Sequence, residues 1–172
     1  MRRVWVGVVA VCLMGLGCGY HVAGQADTIP DEIGTIAIPT FTNSTTEFKI
    51  EQYLTEAVTR EFMSRTRYSI VTNENYADAT LRGTVLGFFA YPTNFDPQTN
   101  RASTINTTIV LYVTLVDHKS GQVLYQNPNL QHRDFYEVSA EPVAYLEERQ
   151  VALTRSSESM ARTIVSAVLE GF

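Results

Sequence analysis

Several things are scarce in this sequence. Its 172 residues include 2 cysteines, Cys12 and Cys18, and 1 tryptophan, and no cluster of lysine and arginine appears anywhere. So few cysteines exclude a disulfide-stapled scaffold and the paired CxxC sets of structural zinc sites. Lys and Arg number 13 against 18 Asp and Glu, a net charge of −5. Without a basic patch the chain lacks the charge that drives nucleic-acid affinity or polybasic attachment to a membrane surface. The longest apolar run, Val4 to Leu16, is too short to span a bilayer core of roughly 30 Å as a helix. No internal repeat and no low-complexity segment is present. What remains is 45% hydrophobic, 10% aromatic and 18% charged. That supplies enough apolar surface to offset the entropy of ordering, and the length suits one domain.

Catalytic chemistry is equally sparse. His21, His118 and His132 stand far apart and fit no metal-ligand spacing, so no metal site is expected. There is no G-x-S-x-G turn to present a nucleophilic serine. The carboxylate pairs Glu147/Glu148 and Glu51/Glu56 lie in stretches of helical pattern, where they read as solvated faces. The sequence is therefore expected not to be an enzyme, with no cofactor and no metal.

The first residues form a leader. Met1-Arg2-Arg3 is a positive start, Val4 to Leu16 an apolar middle, and Gly15-Leu16-Gly17-Cys18 a run of mostly small residues ending in cysteine. This matches a lipoprotein signal peptide over residues 1–17, although Gly15 stands where a lipobox usually carries leucine. Cys18 is the expected lipidation site, carrying covalent diacylglycerol and an N-acyl chain. Several acyl chains anchor a protein stably without a transmembrane helix. Gly19 rather than aspartate follows Cys18, which favours delivery to the outer membrane, on its periplasmic side. The mature chain then begins at Cys18 with a net charge of −7 and one thiol, so no internal disulfide can form. Residues 18–34 read as a lipidated tether and 35–172 as one globular domain.

Along that domain, Thr35 to Pro39 reads as a short strand and Phe41 to Thr46 as a polar turn whose hydroxyls can cap a helix. Ile50, Leu54, Ala57, Val58 and Phe62 recur at helical spacing to about Ser64. Tyr68 to Val71 is a second strand, completing a βαβ unit. Ala79 to Tyr91 alternates, with Leu81, Val85 and Phe89 on one face and Thr80, Arg82 and Thr84 on the other. Gly83 and Gly87 fall on the apolar face and predict a close helix approach. Pro92 to Arg101 reads as a loop. Ala102 to Val116 is the clearest strand, with Ile105, Ile109, Leu111, Val113 and Leu115 opposed to Thr104, Asn106, Thr108, Tyr112 and Thr114. Asp117 to Gly121 is a hairpin turn, and the return strand is expected to bulge or break at Asn127-Pro128-Asn129. A last helix starts near Pro142, with Leu146, Leu153, Met160, Ile164 and Val168 as its apolar stripe. The order β-α-β-β-β-β-α predicts an α+β fold, a two-layer α/β sandwich with a mixed sheet of four to five strands and two helices on one face. The threonine-rich face of Ala102 to Val116, with Arg82 and Thr84 beside it, is a candidate contact surface, although a half-buried sheet carries a polar outer face in any case.

The sequence also resembles a known family. Cys18-Gly19-Tyr20-His21, Ile36-Ala37-Ile38-Pro39 with Phe41-Thr42-Asn43, and Leu54-Thr55-Glu56-Ala57-Val58 before Arg60-Glu61-Phe62 are similar to segments of the lipopolysaccharide-assembly lipoproteins of the outer membrane, LptE. Ala77-Asp78-Ala79, Leu81-Arg82-Gly83, the turn at Asp117 to Gly121 and the helix from Ala152 continue the likeness over nearly the whole mature chain. The resemblance implies a monomeric, non-catalytic plug inside a large β-barrel translocon subunit (LptD-like). Such a plug assists assembly of its barrel and binds lipopolysaccharide. Arg82, Arg101 and Arg133 are candidate contacts for anionic lipid phosphates through charge-assisted hydrogen bonds, though ordinary surface arginines read the same way. The alternative is a periplasmic adaptor or secretion-channel lipoprotein domain with no lipopolysaccharide role, since some such domains also open with a strand like that at Thr35.

Overall fold

The computed structural model describes residues 29–95, 97, 102–137 and 142–171. The elements in chain order are β1 (Thr35–Ala37), β2 (Thr42–Asn43), α1 (Ile50–Arg65), β3 (Ser69–Val71), β4 (Ala79–Phe95), β5 (Ala102–Asp117), β6 (Val123–Glu137) and α2 (Pro142–Glu170), with one 3-10 turn at Glu74–Tyr76. The α+β class and the two helices are as expected. The sheet is mixed and has six strands rather than four or five, because β2 adds a short parallel pairing with β4. Strand order is β3-β1-β4-β5-β6. β1 lies parallel to β3 and β4, while β4, β5 and β6 form an antiparallel meander.

Helix α1 forms where the apolar spacing places it, burying Ile50, Leu54, Ala57, Val58 and Phe62. Its start differs from expectation. Lys49 precedes it in the left-handed region at φ 64°, and no side chain caps the helix. The hydroxyls upstream are used otherwise. Asn43 Oδ1 accepts from the Thr45 backbone N–H at 2.9 Å, and the Asn43 amide donates to the Glu47 carbonyl at 2.8 Å and to Glu51 at 2.9 Å. These bonds build an Asx turn that delivers the chain to the helix. Helix α2 starts at Pro142 and buries Leu153, Met160, Ile164 and Val168 as read, whereas the Leu146 side chain lies outside what is described. It ends at Gly171, whose φ of 76° suits a residue without a Cβ and whose N–H reaches the Ala167 carbonyl at 2.9 Å. Ile29 and Ile33 are also buried, so the folded unit reaches back to Ile29.

Three further expectations are corrected. First, Gly83 does leave room on the apolar face, but for an aromatic ring rather than a helix. A Cβ there would come within 2.5 Å of the buried Phe41 ring. Gly87 lies not on that face but on the opposite one, where the Phe89 ring of its own strand fills the space. Second, β4 does not stop at Tyr91 but runs through Pro92 to Phe95, with Pro92 opposite Ile105. Proline is tolerated because the short strands β1 and β2 pair with β4 only as far as Val85, leaving its far half paired on one side. Third, Phe89 does not share a face with Leu81 and Val85. Val85 pairs with Leu111 but Gly87 pairs with Val110, so Leu86 is an extra residue in a β-bulge. A one-residue slip reverses the alternation beyond it. Phe88, Ala90 and Pro92 therefore turn to the helix side, and Phe89 and Tyr91 to the outside. On β6 the expected irregularity at Asn127-Pro128-Asn129 is a bulge, and the strand continues through it. As the edge strand it loses no ladder bond to a further neighbour.

Candidate functional site

Two regions follow from this register. In the proximal region, from Ala79 to Val85 on β4, both helices cover the sheet and the core is closed around Phe62, Leu81, Leu111 and Leu115. In the distal region, β4 from Gly87, β5 before Leu111 and β6 after Leu130 form a three-stranded ribbon with only α2 above it.

The outer face of that ribbon is the candidate site. Its rungs can be read across the three strands. Phe89, Thr108 and Arg133 form one, and Tyr91, Asn106 and Phe135 the next. Phe89 is 45% exposed, Tyr91 59% and Phe135 56%. The Phe89 and Tyr91 rings are nearly parallel, 7° apart with centroids 6.3 Å from each other. Asn106, between Tyr91 and Phe135, has its Oδ1 buried without a hydrogen-bond partner among the described residues. Exposed aromatics grouped in this way, rather than scattered singly, mark a contact surface. The threonine-rich face foreseen from sequence is present as the middle strand of this surface, but the aromatic flanks were missed. The alternation of Arg133, Phe135 and Glu137 was a legible signal, whereas the bulge that turns Phe89 and Tyr91 outward was not.

The arginines foreseen as lipid contacts do not converge. Arg82 sits on the proximal rung opposite Thr114, and its guanidinium is ion-paired to Glu74, with Nε donating to Oε1 at 3.1 Å. Arg133 stands opposite Thr108 and makes no ion pair with another described residue. Six residues of strand separate the two rungs, roughly 20 Å, so one phosphate cannot touch both. Arg101 and Cys18 lie outside the described residues.

The inner side of the ribbon is held to α2 by polar contacts. The buried Thr107 hydroxyl lies 3.1 Å from Ser156 Oγ and donates to the Asp134 carbonyl at 3.3 Å. Thr163 Oγ1 lies 3.1 Å from His132 Nδ1. Ser157 is 1% exposed and its hydroxyl has no hydrogen-bond partner among the described residues. At the opposite end of the strands, the Asp117 carboxylate accepts from the Ser120 hydroxyl and the Lys119 N–H, and these bonds lower its pKa. His118 is wedged between Thr80 Oγ1 at 2.7 Å and the Ala77 carbonyl at 2.9 Å, which ties the hairpin turn to the start of β4. Burial pushes the Tyr125 phenol upward, and its hydroxyl has no hydrogen-bond partner among the described residues. Among the described residues no group of three His, Cys, Asp or Glu could hold a metal ion. Among them too, no helix is long and apolar enough to cross a membrane.

The model of the lipopolysaccharide-assembly family LptE matches residues 33–168. The chain belongs to the LptE family. The match spans both regions of the sheet and both helices. Solved structures share the fold at low identity. Lipoprotein B from Nitrosomonas europaea is 12% identical, with 88% of this chain and 90% of that one covered and a TM-score of 0.52. A hypothetical protein from Chlamydia trachomatis is 10% identical over 81% and 96% of the two chains, with a TM-score of 0.52. The PelC dodecamer from Paraburkholderia phytofirmans is 12% identical over 80% and 88%, with a TM-score of 0.51. At such identities they speak to the fold alone. No curated protein matches the chain.

Proposed function

We propose that this LptE-family member is an outer-membrane lipoprotein, anchored through acyl chains on Cys18, that seats in a large β-barrel partner (LptD-like) and binds lipopolysaccharide during its delivery. The observation that carries this reading beyond family membership is the distal ribbon. A free-standing domain gains nothing from exposing Phe89, Tyr91 and Phe135 on one face, whereas a surface that docks against a partner or an amphiphile buries them and gains roughly 25 cal/mol per Å². Arg133, on the same face and without an ionic partner among the described residues, is better placed than Arg82 for an anionic headgroup. Arg82 would first have to leave Glu74. The role requires no catalysis.

Affinity purification of the native lipoprotein tests the reading. A stoichiometric large outer-membrane barrel is the expected result, and a homo-oligomeric ring without one would favour an adaptor or secretion-channel role instead. Cys18→Ala should release the protein from the membrane fraction. Charge reversal at Arg133 should lower lipopolysaccharide retention several-fold, and reversal at Arg82 should change it less.

A further inference from the structure

The half of α2 over the ribbon is built unlike the half over the core. From Met160 onward the helix buries Met160, Ala161, Ile164, Val165 and Val168, and α1 grips it through the bonds Arg60 to Glu158 and Arg65 to Ser166. Between Gln150 and Arg155 the buried residues are Ala152 and Leu153, while Val151 is exposed. The two halves join at Thr154-Arg155-Ser156-Ser157-Glu158-Ser159. Serine and threonine hydroxyls compete for the carbonyls of a helix, and a pair of serines is a place where helices kink. Two such bonds flank the serine pair, from the Thr154 hydroxyl to the Gln150 carbonyl at 2.9 Å and from the Thr163 hydroxyl to the Ser159 carbonyl at 3.2 Å.

What meets the sheet at this join is polar on both sides. Ser156 and Thr107 are both buried, and the Thr107 hydroxyl gives its one proton to the Asp134 carbonyl at 3.3 Å. Ser156 is therefore the donor in the 3.1 Å contact between the two hydroxyls. When the helix leaves, Thr107 keeps its carbonyl and Ser156 exchanges one neutral bond for water, so the contact holds α2 down only weakly. Ser157, next in line, is buried with its hydroxyl unmatched among the described residues. A bend at that point frees the Leu153 carbonyl, four residues back, to accept it. We propose that α2 hinges at Ser156-Ser157 and that the helix from Pro142 to Arg155 is a lid, which lifts from the inner face of the ribbon while the part from Met160 onward stays in the core. Opening uncovers Ile105 and Thr107, beside their β4 partners Pro92 and Ala90, which are exposed already. The device goes beyond the proposed function and does not depend on it.

The test is the rate at which a maleimide labels a single buried thiol, in the full chain carrying Cys12→Ala and Cys18→Ala. Ile105→Cys puts the thiol under the lid, and Ile164→Cys puts it under the part that stays. Ile105→Cys should label at least a hundredfold faster, because local opening reaches it and only global unfolding reaches Ile164→Cys. The amides of Ile105, Ala152 and Leu153 should stay protected from hydrogen exchange meanwhile, since the lid lifts as an intact helix from an intact ladder. Thr107→Val with Ser156→Ala makes the seam apolar on both sides and should slow labelling of Ile105→Cys several-fold without changing Ile164→Cys. If Ile105→Cys does not fold, Leu153→Cys, on the buried side of the lid, takes its place in the same comparison. Equal rates at the two thiols, or a rate that the apolar seam leaves unchanged, would overturn the lid. Fast labelling accompanied by fast exchange would overturn it too, because at Ile105 that marks fraying of the ribbon and at Leu153 unwinding of the helix.

Discussion

The proximal and distal regions use the same three strands and answer the problem of burial differently. Proximally, β4 is paired on both sides, both helices cover its inner face, and the ion pairs Arg60–Glu56, Arg60–Glu158, Arg65–Glu61 and Arg67–Asp31 dress the helical surface and the segment leading into β1. Those pairs lie at the surface and contribute little each. Stability there comes from the apolar cluster. Distally, β4 is paired on one side, α2 meets the sheet through Thr107, Ser156, Thr163 and His132, and large aromatics face outward. The lesson is a division of labour. One end closes a core, and the other leaves Phe89, Tyr91 and Phe135 exposed on one face.

That comparison can be broken or sharpened by substitution. The largest effect is expected from Phe62→Ala, which opens a cavity in the proximal core and should cost about 3 to 5 kcal/mol in denaturant unfolding. Phe135→Ala, an equal truncation on the distal face, should stay within about 0.5 kcal/mol. Comparable losses at both sites would dissolve the distinction. Next comes Gly83→Ala, where the new Cβ meets the Phe41 ring at 2.5 Å. It should cost about 1 to 3 kcal/mol by overpacking. Thr107→Val removes the hydroxyl that Ser156 meets and leaves that serine buried without it. A loss of about 1 kcal/mol is expected, with faster amide exchange in α2 near Ser156 and no change near Ile164. If the polar contacts are not what holds the distal half of α2, exchange will be uniform along the helix.

The smallest effects depend on pH. Hydrogen bonds from Ser120 and Lys119 hold the Asp117 carboxyl below its ordinary value, so their stabilisation is present above pH 4 and disappears as the pH falls through the lowered value. Asp117→Asn should flatten the acid limb of the stability curve slightly. Tyr125 works in the other direction. Its phenol is raised by burial, so the unfolded chain ionises first and stability falls as the pH climbs past about 10 towards the folded value. Tyr125→Phe should remove that alkaline loss.

Much of the fold was legible because its signals are local. The i, i+3, i+4 spacing of Ile50, Leu54, Ala57, Val58 and Phe62 has one helical solution, and the alternation from Ile105 to Leu115 has one strand solution; both stand as read. The turn at Asp117 to Gly121 closes as expected, with Gly121 at φ 71°. The candidate site was less legible. The resemblance led to the family, but a family likeness does not say which side chains share a face. Arg82 reads as a free cation in sequence, and only folding brings Glu74 to it from the 3-10 turn.

By itself, then, the sequence determined both helices, the main strands, their order and the family, and from it alone come the expectations of a leader and of lipid on Cys18. Those properties follow from periodicity and from short contiguous motifs. The tertiary structure alone decided where β4 changes face. A bulge is set by how two strands match in length and register, and no pattern within β4 announces that Leu111 and Val110 will oppose Val85 and Gly87. From that single extra residue follow the outward Phe89 and Tyr91, because an alternation of period two turns a slip of one into a change of side for every residue beyond it.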